Sequence, residues 1–282
     1  MSAEASTRLA GVMGWPISHS LSPRVHGFWL KTYAIDGAYV PLAVRPENIA
    51  DALRALPLLG FRGANVTLPH KEAALRVVDQ IEPLARRIGA VNTVIVAADG
   101  SLEGRNTDAF GFIENLRQGA PGWRAKAGPA IILGAGGAAR AVVAALQDAG
   151  APLIRILNRD HGRAEALAAE LAPGGASTLE VLPWETRSEV LAGAALVVNA
   201  TSLGLAGGPE LEISLDALAK SALVTDLVYR PLETGLLKAA KTHGNPTVDG
   251  LGMLLHQARP GFAAWFGRMP EVTAELRQAV LA

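Results

Sequence analysis

A short run of glycines between an apolar segment and a helical one constrains this sequence more than any other feature. The apolar segment 129–133 is followed by Gly134, Gly136 and Gly137, and then by the alanine-rich segment 138–148. Glycines let the chain turn tightly and approach a pyrophosphate, which the free N–H groups and positive dipole end of the helix can bind. The context predicts a dinucleotide-binding turn of the Rossmann type, with an ordinary glycine turn as the alternative.

The end of the next predicted strand determines which nicotinamide cofactor such a turn would hold. An NAD site usually has Asp or Glu there to bind the ribose 2′-hydroxyl. This chain has Asn158 and Arg159, with Arg163 one helical turn further on, and a neutral residue followed by a cation suits the 2′-phosphate of NADP. Asp160 would repel that phosphate, and Arg163 could also be a solvated surface residue. NADP is favoured, and NAD stays open.

Short apolar or β-branched runs alternate with helix-length segments, which predicts βαβ units. The expected strands are 9–14, 38–44, 62–68, 91–97, 129–133, 153–158, 178–182, 195–200 and 223–229; the expected helices are 22–33, 46–57, 108–117, the segment from the glycine turn to 150, 162–171, and two pieces of 250–282 divided at Gly267 and Pro270. The length of 282 residues favours two domains. We predict an α/β protein with an N-terminal domain over 1–107, built on a mainly parallel sheet, and a Rossmann-like domain over 108–249.

Composition argues against several classes of function. Lys+Arg and Asp+Glu balance at 26 each, so no charge excess points to nucleic acid or to a membrane surface. The absence of cysteine excludes disulfides, thiolate nucleophiles and Cys-based zinc sites, and the six histidines lack metal-ligand spacing, so no metal is expected. The N-terminal segment 1–14 lacks a signal-peptide pattern, and no membrane span is visible. A soluble, cytoplasmic protein is expected.

A lysine and an aspartate stand where chemistry is expected. Lys71 follows a predicted strand that ends at Pro69, and ligands of α/β proteins usually bind at the carboxyl ends of strands. Asp108 falls in the first turn of a predicted helix. A Lys–Asp pair would supply a proton donor or acceptor and a group to orient it. A lysine alone is more often a solvated surface charge, and the spacing does not show that the two residues meet.

The loop 14–23 carries three serine hydroxyls and leads into a predicted helix. Hydroxyls at a helix N-terminus make a reasonable cradle for a carboxylate. The alternative is simple N-capping by Ser22, which Pro23 at the next position would suit. These two roles compete for Ser22 but not for Ser20.

Several clusters together carry a resemblance to a known family. They are Ser20-Leu21-Ser22-Pro23, Asn65-Val66-Thr67-Leu68-Pro69-His70-Lys71, Gly89-Ala90-Val91-Asn92-Thr93, Asn106-Thr107-Asp108, Gly134-Ala135-Gly136-Gly137, Asn199-Ala200-Thr201, and Asp249-Gly250-Leu251-Gly252-Met253-Leu254 with Gln257. They occur in one order and cover nearly the whole chain. In them the sequence resembles the shikimate dehydrogenase family.

The resemblance implies a set of site residues. The implied catalytic pair is Lys71 and Asp108. The implied substrate contacts are Ser20, Ser22, Thr67, Lys71, Asn92, Asp108, Tyr229 and Gln257. With the turn and strand end described above, the expected cofactor contacts are Gly134, Ala135, Gly136, Gly137, Ala138, Asn158, Arg159, Arg163, Thr201, Gly250 and Met253.

The resemblance also implies a reaction, the NADP-dependent, reversible reduction of 3-dehydroshikimate to shikimate in aromatic amino-acid biosynthesis. The helices of 250–282 would return to the N-terminal, substrate-binding domain. Lys71 would donate the proton, so oxidation is expected to speed up toward alkaline pH. Asp160 departs from the threonine that is common in the family, which leaves strict NADP preference open, whereas Ser22 favours shikimate over quinate.

Three other functions are weighed. A quinate or quinate/shikimate dehydrogenase using NAD is the nearest. A non-catalytic nucleotide-binding homologue belongs to a different class, and the presence of both Lys71 and Asp108 argues against it. The serine-rich loop and the cluster with Gln257 argue against a folate-linked dehydrogenase of similar build. The sequence leaves open whether the protein is a monomer or a homodimer.

Overall fold

The computed structural model describes residues 7–282, so the first part of the segment inspected for a signal peptide lies outside the described residues. The chain divides into two compact units. One runs up to Thr107 and also contains Gln257–Ala282, and the other is Asp108–His256. The sequence places the second boundary at residue 249, whereas this division falls inside the helix that follows.

The first unit has an α/β build within the described residues. Its strands are β1 (Arg8–Gly14), β2 (Gly37–Ala43), β3 (Phe61–Val66), β4 (Gln80–Ile81), β5 (Thr93–Val96) and β6 (Leu102–Arg105), and its first helices are α1 (Ser22–Thr32), α2 (Ile49–Ala55), α3 (Lys71–Leu75) and α4 (Pro83–Ile88). The strand order is β2-β1-β3-β5-β6-β4. Predicted strands match β1, β2, β3 and β5, whereas β4 and β6 were not predicted.

The sheet of the first unit is parallel where β1 pairs with β2 and β3, as expected. It becomes antiparallel at β5, which pairs with both β3 and β6. The cause is a tight turn between β5 and β6, in which the Ala97 N–H donates to the Ser101 carbonyl at 2.9 Å and Gly100 has φ +83°. Such a short connection can only join antiparallel strands.

Apolar side chains hold this sheet against its helices. Met13, Val66 and Val94, from three neighbouring strands, pack with Leu53 of α2 and Ala74 of α3. Each larger buried side chain stabilises the fold by about 1.5–3 kcal/mol. The carboxyl ends of β1 and β3 are thereby fixed side by side.

The second unit is Rossmann-like. In chain order its described elements are α5 (Asp108–Gly119), β7 (Ala130–Leu133), α6 (Gly137–Asp148), β8 (Leu153–Leu157), α7 (His161–Leu171), β9 (Thr178–Leu182), β10 (Leu196–Asn199), β11 (Leu223–Asp226), α8 (Gly235–His243) and β12 (Thr247–Val248). The strands run in the order β12-β11-β10-β7-β8-β9, and all of these pairs are parallel. The strand order reverses at β7, and ligands of such sheets bind at that switch point.

Helix α8 was not predicted from the sequence, although its signals are present. Leu236, Leu237 and Ala240 are buried at helical spacing, Thr234 caps the first turn, and Gly244 ends the helix with φ +97°. Two further helices complete the chain, α9 (Leu251–Phe266) and α10 (Ala274–Leu281), divided near Gly267 and Pro270 as predicted. Across the described residues, no helix is both long enough and apolar enough to cross a membrane.

Candidate active site

Thr67 and Lys71 lie beyond the carboxyl ends of β1 and β3. The Thr67 N–H donates to the Met13 carbonyl at 2.9 Å, which continues the pairing of the two strands past β3. Lys71 begins α3, and its carbonyl accepts the Val91 N–H at 3.0 Å. Backbone hydrogen bonds therefore fix both residues at one edge of the sheet.

The serine loop does not have the arrangement in which Ser22 caps α1. Leu21, not Ser22, is the N-cap of α1, and Ser22 is the first helical residue. The Ser22 N–H donates to Oγ of Ser20 at 3.3 Å. N-capping by Ser22 is therefore wrong as an explanation of this loop, because Pro23 occupies the second helical position rather than the first. The Ser22 side chain lies close to the phenol of Tyr39 instead and opposes the rise in the pKa of that phenol.

Tyr39 and Asn65 join the serine loop to Asn92. The Tyr39 hydroxyl donates to Oδ1 of Asn65 at 2.6 Å. Asn65 in turn donates through Nδ2 to the Asn92 carbonyl and to Oγ1 of Thr93, each at 3.1 Å. Because a carbonyl can only accept, the Asn65 atom that faces it is the amide nitrogen, and Oδ1 must face Tyr39. Burial raises the pKa of Tyr39 well above its ordinary value, so its phenol stays protonated and acts as the donor.

Asn92 has its orientation fixed by neighbours. Its Oδ1 accepts the Thr107 N–H at 2.8 Å and the Thr93 hydroxyl at 3.0 Å. A backbone N–H can only donate, so the atom facing it is the amide oxygen. Asn92 can therefore act on a ligand as a donor through Nδ2, which suits a hydroxyl or carbonyl oxygen.

Tyr39, Asn65 and His70 are residues to which the sequence analysis gave no site role. His70 is buried and its Nε2 hydrogen-bonds to the Val44 carbonyl at 2.8 Å, so it holds the loop before α3. Asn65 had a signal in the sequence, since alternate residues of a strand share a face and Thr67 lies two positions on. Tyr39 had none, because its partner becomes visible only when the sheet is assembled.

The remaining predicted substrate residues are divided between the units. Gln257 lies on α9 in the first unit and is half-buried. Asp108 begins α5 in the second unit and is buried. Tyr229 follows β11 in the second unit, and burial raises the pKa of its phenol.

The glycine turn has the geometry that a dinucleotide requires. Gly134 has φ +116°, and a Cβ there would lie 2.9 Å from the Ala200 carbonyl oxygen, so only glycine fits. Gly136 is the N-cap of α6, and a Cβ atom added at position 136 or 137 would meet nothing within 4 Å. The open first turn of a twelve-residue helix therefore fits a pyrophosphate. Ala135 and Ala138 belong to the same turn.

The candidate 2′-phosphate contacts lie between β8 and α7. Arg159 and Arg163 are exposed, and Asn158 donates through Nδ2 to the Asp160 carbonyl at 2.8 Å. Asp160 is the N-cap of α7. These side chains fit a phosphate in their charge and exposure, and Asp160 has a structural role of its own.

The last predicted cofactor residues follow β10 and β12. The Thr201 hydroxyl donates to Oδ1 of Asn199 at 2.7 Å, and the Thr201 methyl carbon lies 3.2 Å from the Cβ position of Gly134. Gly250 admits no side chain, since a Cβ would lie 2.4 Å from the Leu227 carbonyl oxygen. Met253 is buried in the first turn of α9. Among residues 7–282, no cluster of three or more His, Asp or Glu side chains is arranged to hold a metal ion.

Two family models match the chain. One is described as the shikimate dehydrogenase substrate binding domain and matches residues 12–94. The other is described as shikimate / quinate 5-dehydrogenase and matches residues 121–206.

Individual relatives match nearly the whole chain. Shikimate dehydrogenase (NADP(+)) of Paramagnetospirillum magneticum is 62% identical and aligns over 97% of this chain and 98% of its own. Among solved structures, shikimate 5-dehydrogenase of Thermus thermophilus in complex with NADP(H) and shikimate has a TM-score of 0.85 at 40% identity, covering 97% of this chain and 98% of that one. Quinate dehydrogenase of Corynebacterium glutamicum in complex with NAD has a TM-score of 0.90 at 33% identity, covering 98% and 99%.

Proposed function

Because this chain belongs to the shikimate dehydrogenase family, we propose that it catalyses the NADP-dependent, reversible reduction of 3-dehydroshikimate to shikimate. The observation that carries the proposal is the 62% identity, over nearly the full length, to a relative named for this reaction. The open glycine turn and the ordered polar edge of the first unit supply the two kinds of site that the reaction needs. The first unit would hold the substrate and the second the cofactor.

The substrate would be held by donors of the first unit. Ser20 and Ser22 stand at the N-terminus of α1, where a carboxylate is stabilised by hydroxyl donors and by the helix dipole. Thr67 and the amide nitrogen of Asn92 would bind ring oxygens. Gln257 and, from the second unit, Tyr229 would complete the contacts.

Lys71 and Asp108 would manage the proton. In the reducing direction the Lys71 ammonium donates a proton to the oxygen that becomes the hydroxyl, and the Asp108 carboxylate orients that ammonium. In the oxidising direction neutral Lys71 takes the proton back. Bound NADP supplies or accepts the hydride.

The cofactor would be bound along the carboxyl edge of the second sheet. The N–H groups of the turn from Gly134 to Ala138 would bind the pyrophosphate. Asn158, Arg159 and Arg163 would bind the 2′-phosphate, since guanidinium groups pair well with phosphate. Thr201, Gly250 and Met253 would contact the nicotinamide half.

Use of quinate with NAD is the second candidate. The carboxylate of Asp160 beside Arg159 favours some acceptance of NAD, because it opposes the charge of a 2′-phosphate. Action in the cytoplasm, and a monomeric or homodimeric state, complete the proposal. Size-exclusion chromatography with light scattering would decide the oligomeric state.

Steady-state kinetics with two acids and two cofactors tests the function. We expect the appearance of reduced nicotinamide to be fastest with shikimate and NADP, and slower with quinate or NAD. Turnover of quinate with NAD above that of shikimate with NADP would favour the second candidate. Absence of turnover with all four combinations would contradict an enzymatic function.

A further inference from the structure

Asp226 ends β11 and carries a carboxylate with no accessible surface. Its Oδ1 accepts hydrogen bonds from Nδ2 of Asn199 and from the Val228 N–H, each at 2.9 Å. Its Oδ2 accepts a hydrogen bond from the Thr234 hydroxyl at 2.7 Å. These three donors are neutral groups, which is an unusual environment for a buried acid.

The partners of Asp226 determine which atom donates and which accepts in each of these hydrogen bonds. The Val228 N–H can only donate. The Asn199 atom that faces Asp226 also donates to the Leu203 carbonyl at 3.0 Å, so it is the amide nitrogen. The Thr234 hydroxyl accepts the Leu237 N–H at 3.4 Å, which directs its proton toward Asp226. The site is therefore built for an ionised carboxylate.

Burial makes the ionised form of Asp226 energetically unfavourable. Burial raises the pKa of this carboxyl above its ordinary value, and the charge of Glu210 raises it further, while its three donors lower it. A neutral side chain would avoid the loss of hydration. The ionised carboxylate therefore depends on these three donors, and they show which segments it joins.

The first segment tied to Asp226 forms a wall of the glycine turn. Oδ1 of Asn199 accepts both the N–H of Thr201 (3.1 Å) and its hydroxyl (2.7 Å). Ala200, between Asn199 and Thr201, has its carbonyl oxygen 2.9 Å from the point where a Cβ added to Gly134 would lie. The Thr201 methyl carbon lies 3.2 Å from the same point. A shift of Asn199 would therefore move the wall of the nucleotide turn.

The second segment carries Tyr229 and contacts Gly250. The Leu227 N–H donates to the Asn199 carbonyl at 2.9 Å, so the chains after β10 and β11 are joined twice. The carbonyl oxygens of Asp226 and Leu227 lie 2.8 and 2.4 Å from the Cβ position of Gly250. One carboxylate thus connects the backbones that present Thr201, Tyr229 and Gly250.

We propose that Asp226 is a positioning residue for the nicotinamide half of the dinucleotide. Its carboxylate keeps the segments after β10 and β11 in the register that this half of the ligand requires, and it does not touch the ligand itself. The proposal rests on the proposed function in one respect, that the second unit binds NADP. The adenosine half would be held by Asn158 and Arg159, which lie outside the network of Asp226.

The test compares two ligands on the Asp226→Asn variant of the full chain. Asparagine keeps the shape, loses the charge and replaces one acceptor by a donor. By titration calorimetry we expect the Kd for NADPH to rise about tenfold, equivalent to about 1.4 kcal/mol. The Kd for 2′,5′-ADP, which lacks the nicotinamide half but keeps a phosphate at the glycine turn, should rise clearly less, by about threefold at most. In steady state, KM for NADP should rise more than KM for shikimate, because Tyr229 is a proposed substrate contact on one of the segments that Asp226 holds.

Asp216→Asn is the matched control, because Asp216 is an exposed aspartate of the same unit that also accepts a hydroxyl hydrogen bond, from Ser214 at 2.8 Å. It should leave both Kd values unchanged. An equal loss of affinity for NADPH and for 2′,5′-ADP in Asp226→Asn would show general damage to the unit and overturn the proposal. Unchanged affinity for both ligands would overturn it as well.

A second pair of variants keeps the proposal testable should Asp226→Asn fold poorly. Thr234→Val removes one donor to Asp226, and Thr234→Ser keeps it. NADPH should bind more weakly to the valine variant and normally to the serine variant, and equal Kd values for the two would overturn the proposal. Failure of the unmodified chain to bind NADPH would contradict the proposed function instead, so the two failures can be distinguished.

Discussion

The imidazole of His26 lies flat against the phenol of Tyr39, with ring centroids 3.8 Å apart and planes 1° apart. His26 is fully buried on α1 beside Trp29 and Phe262. Within the described part of the chain neither of its ring nitrogens has a hydrogen-bond partner. Burial lowers its pKa from 6.5 to about 3, because the charged ring would lose its hydration. The fold therefore requires neutral His26.

Neutral His26 predicts a loss of stability in acid. The unfolded chain takes up a proton at this residue below its ordinary pKa of 6.5, whereas the folded chain does so only near a pKa of about 3. Between these values the unfolded state binds more protons, so the free energy of unfolding falls as the pH falls, by up to about 1.4 kcal/mol per pH unit from this residue. Urea unfolding from neutral pH to about pH 4 measures the slope.

His26→Phe should remove this part of the slope while keeping an aromatic ring against Tyr39. His161→Gln is the control, because His161 is exposed and its replacement should leave the slope nearly unchanged. The slope is the quantity to compare, since a larger ring can shift the stability at every pH. Equal slopes for His26→Phe and the unmodified chain would contradict a neutral buried His26.

Tyr39→Phe tests the hydrogen bond that orders the substrate edge. The change leaves Oδ1 of Asn65 without its donor at 2.6 Å. We expect the free energy of unfolding to fall by about 1–3 kcal/mol. KM for shikimate should rise several-fold (roughly the effect of one lost hydrogen bond), while KM for NADP should not change.

As a control, Tyr33→Phe removes the hydroxyl of another tyrosine in the same unit. That hydroxyl accepts the exposed Glu271 N–H at 3.1 Å. This control should keep KM for shikimate at its original value. A similar rise in both variants would mean that Tyr39 has no special relation to the substrate.

Local patterns accounted for much of the fold and for part of the site. The strand, turn and helix around Gly134 could be predicted because each step depends on neighbouring residues. The β5–β6 hairpin was missed because a mainly parallel pattern was assumed, although Gly100 marks the turn. Ser22 was considered as an N-cap because Pro23 follows it, and the cap is one residue earlier.

The networks around Asn65 and Asp226 could not have been read from spacing. The Tyr39–Asn65 bond spans 26 positions of the chain, and the Asn199–Asp226 bond spans 27. Both depend on the strand order, since β2 and β3 lie on either side of β1 and β10 and β11 are neighbours. That order is decided by packing of the whole sheet. A buried polar residue is recognisable in a sequence only when its partners are local.

Asp160 predicts a separable effect on cofactor choice. Its side chain caps α7 by accepting the Arg163 N–H at 3.2 Å, and threonine is also a good N-cap. Asp160→Thr should therefore change the free energy of unfolding by less than about 1 kcal/mol. It should raise the preference for NADP over NAD several-fold, because a negative charge next to Arg159 is removed (about 1 kcal/mol for an exposed pair).

Arg159→Ala should have the opposite effect and lower kcat/KM for NADP far more than kcat/KM for NAD. The measurement is kcat/KM for each cofactor at saturating shikimate, with Asp160→Ala to show the effect of losing the cap. Equal losses of NADP and NAD in Arg159→Ala would show that this arginine does not contact the 2′-phosphate.

Lys71 and Asp108 predict a loss of turnover without a loss of binding. Lys71→Met keeps much of the side-chain length but carries no proton to transfer, so kcat should fall by about 10²–10⁴-fold. If the proposed pairing is right, Asp108→Asn should lower kcat, because it removes the group proposed to orient the lysine. Because residues that act as a unit are non-additive, the double variant should be little slower than the slower single variant. The affinity for shikimate, measured by calorimetry, should change by only a few-fold (about 1 kcal/mol) in Lys71→Met.

The control is Lys31→Met, at an exposed lysine in the last turn of α1, which should turn over normally. Multiplicative losses in the double variant would mean that the two residues act independently, and an undiminished rate in Lys71→Met would remove Lys71 from the chemistry.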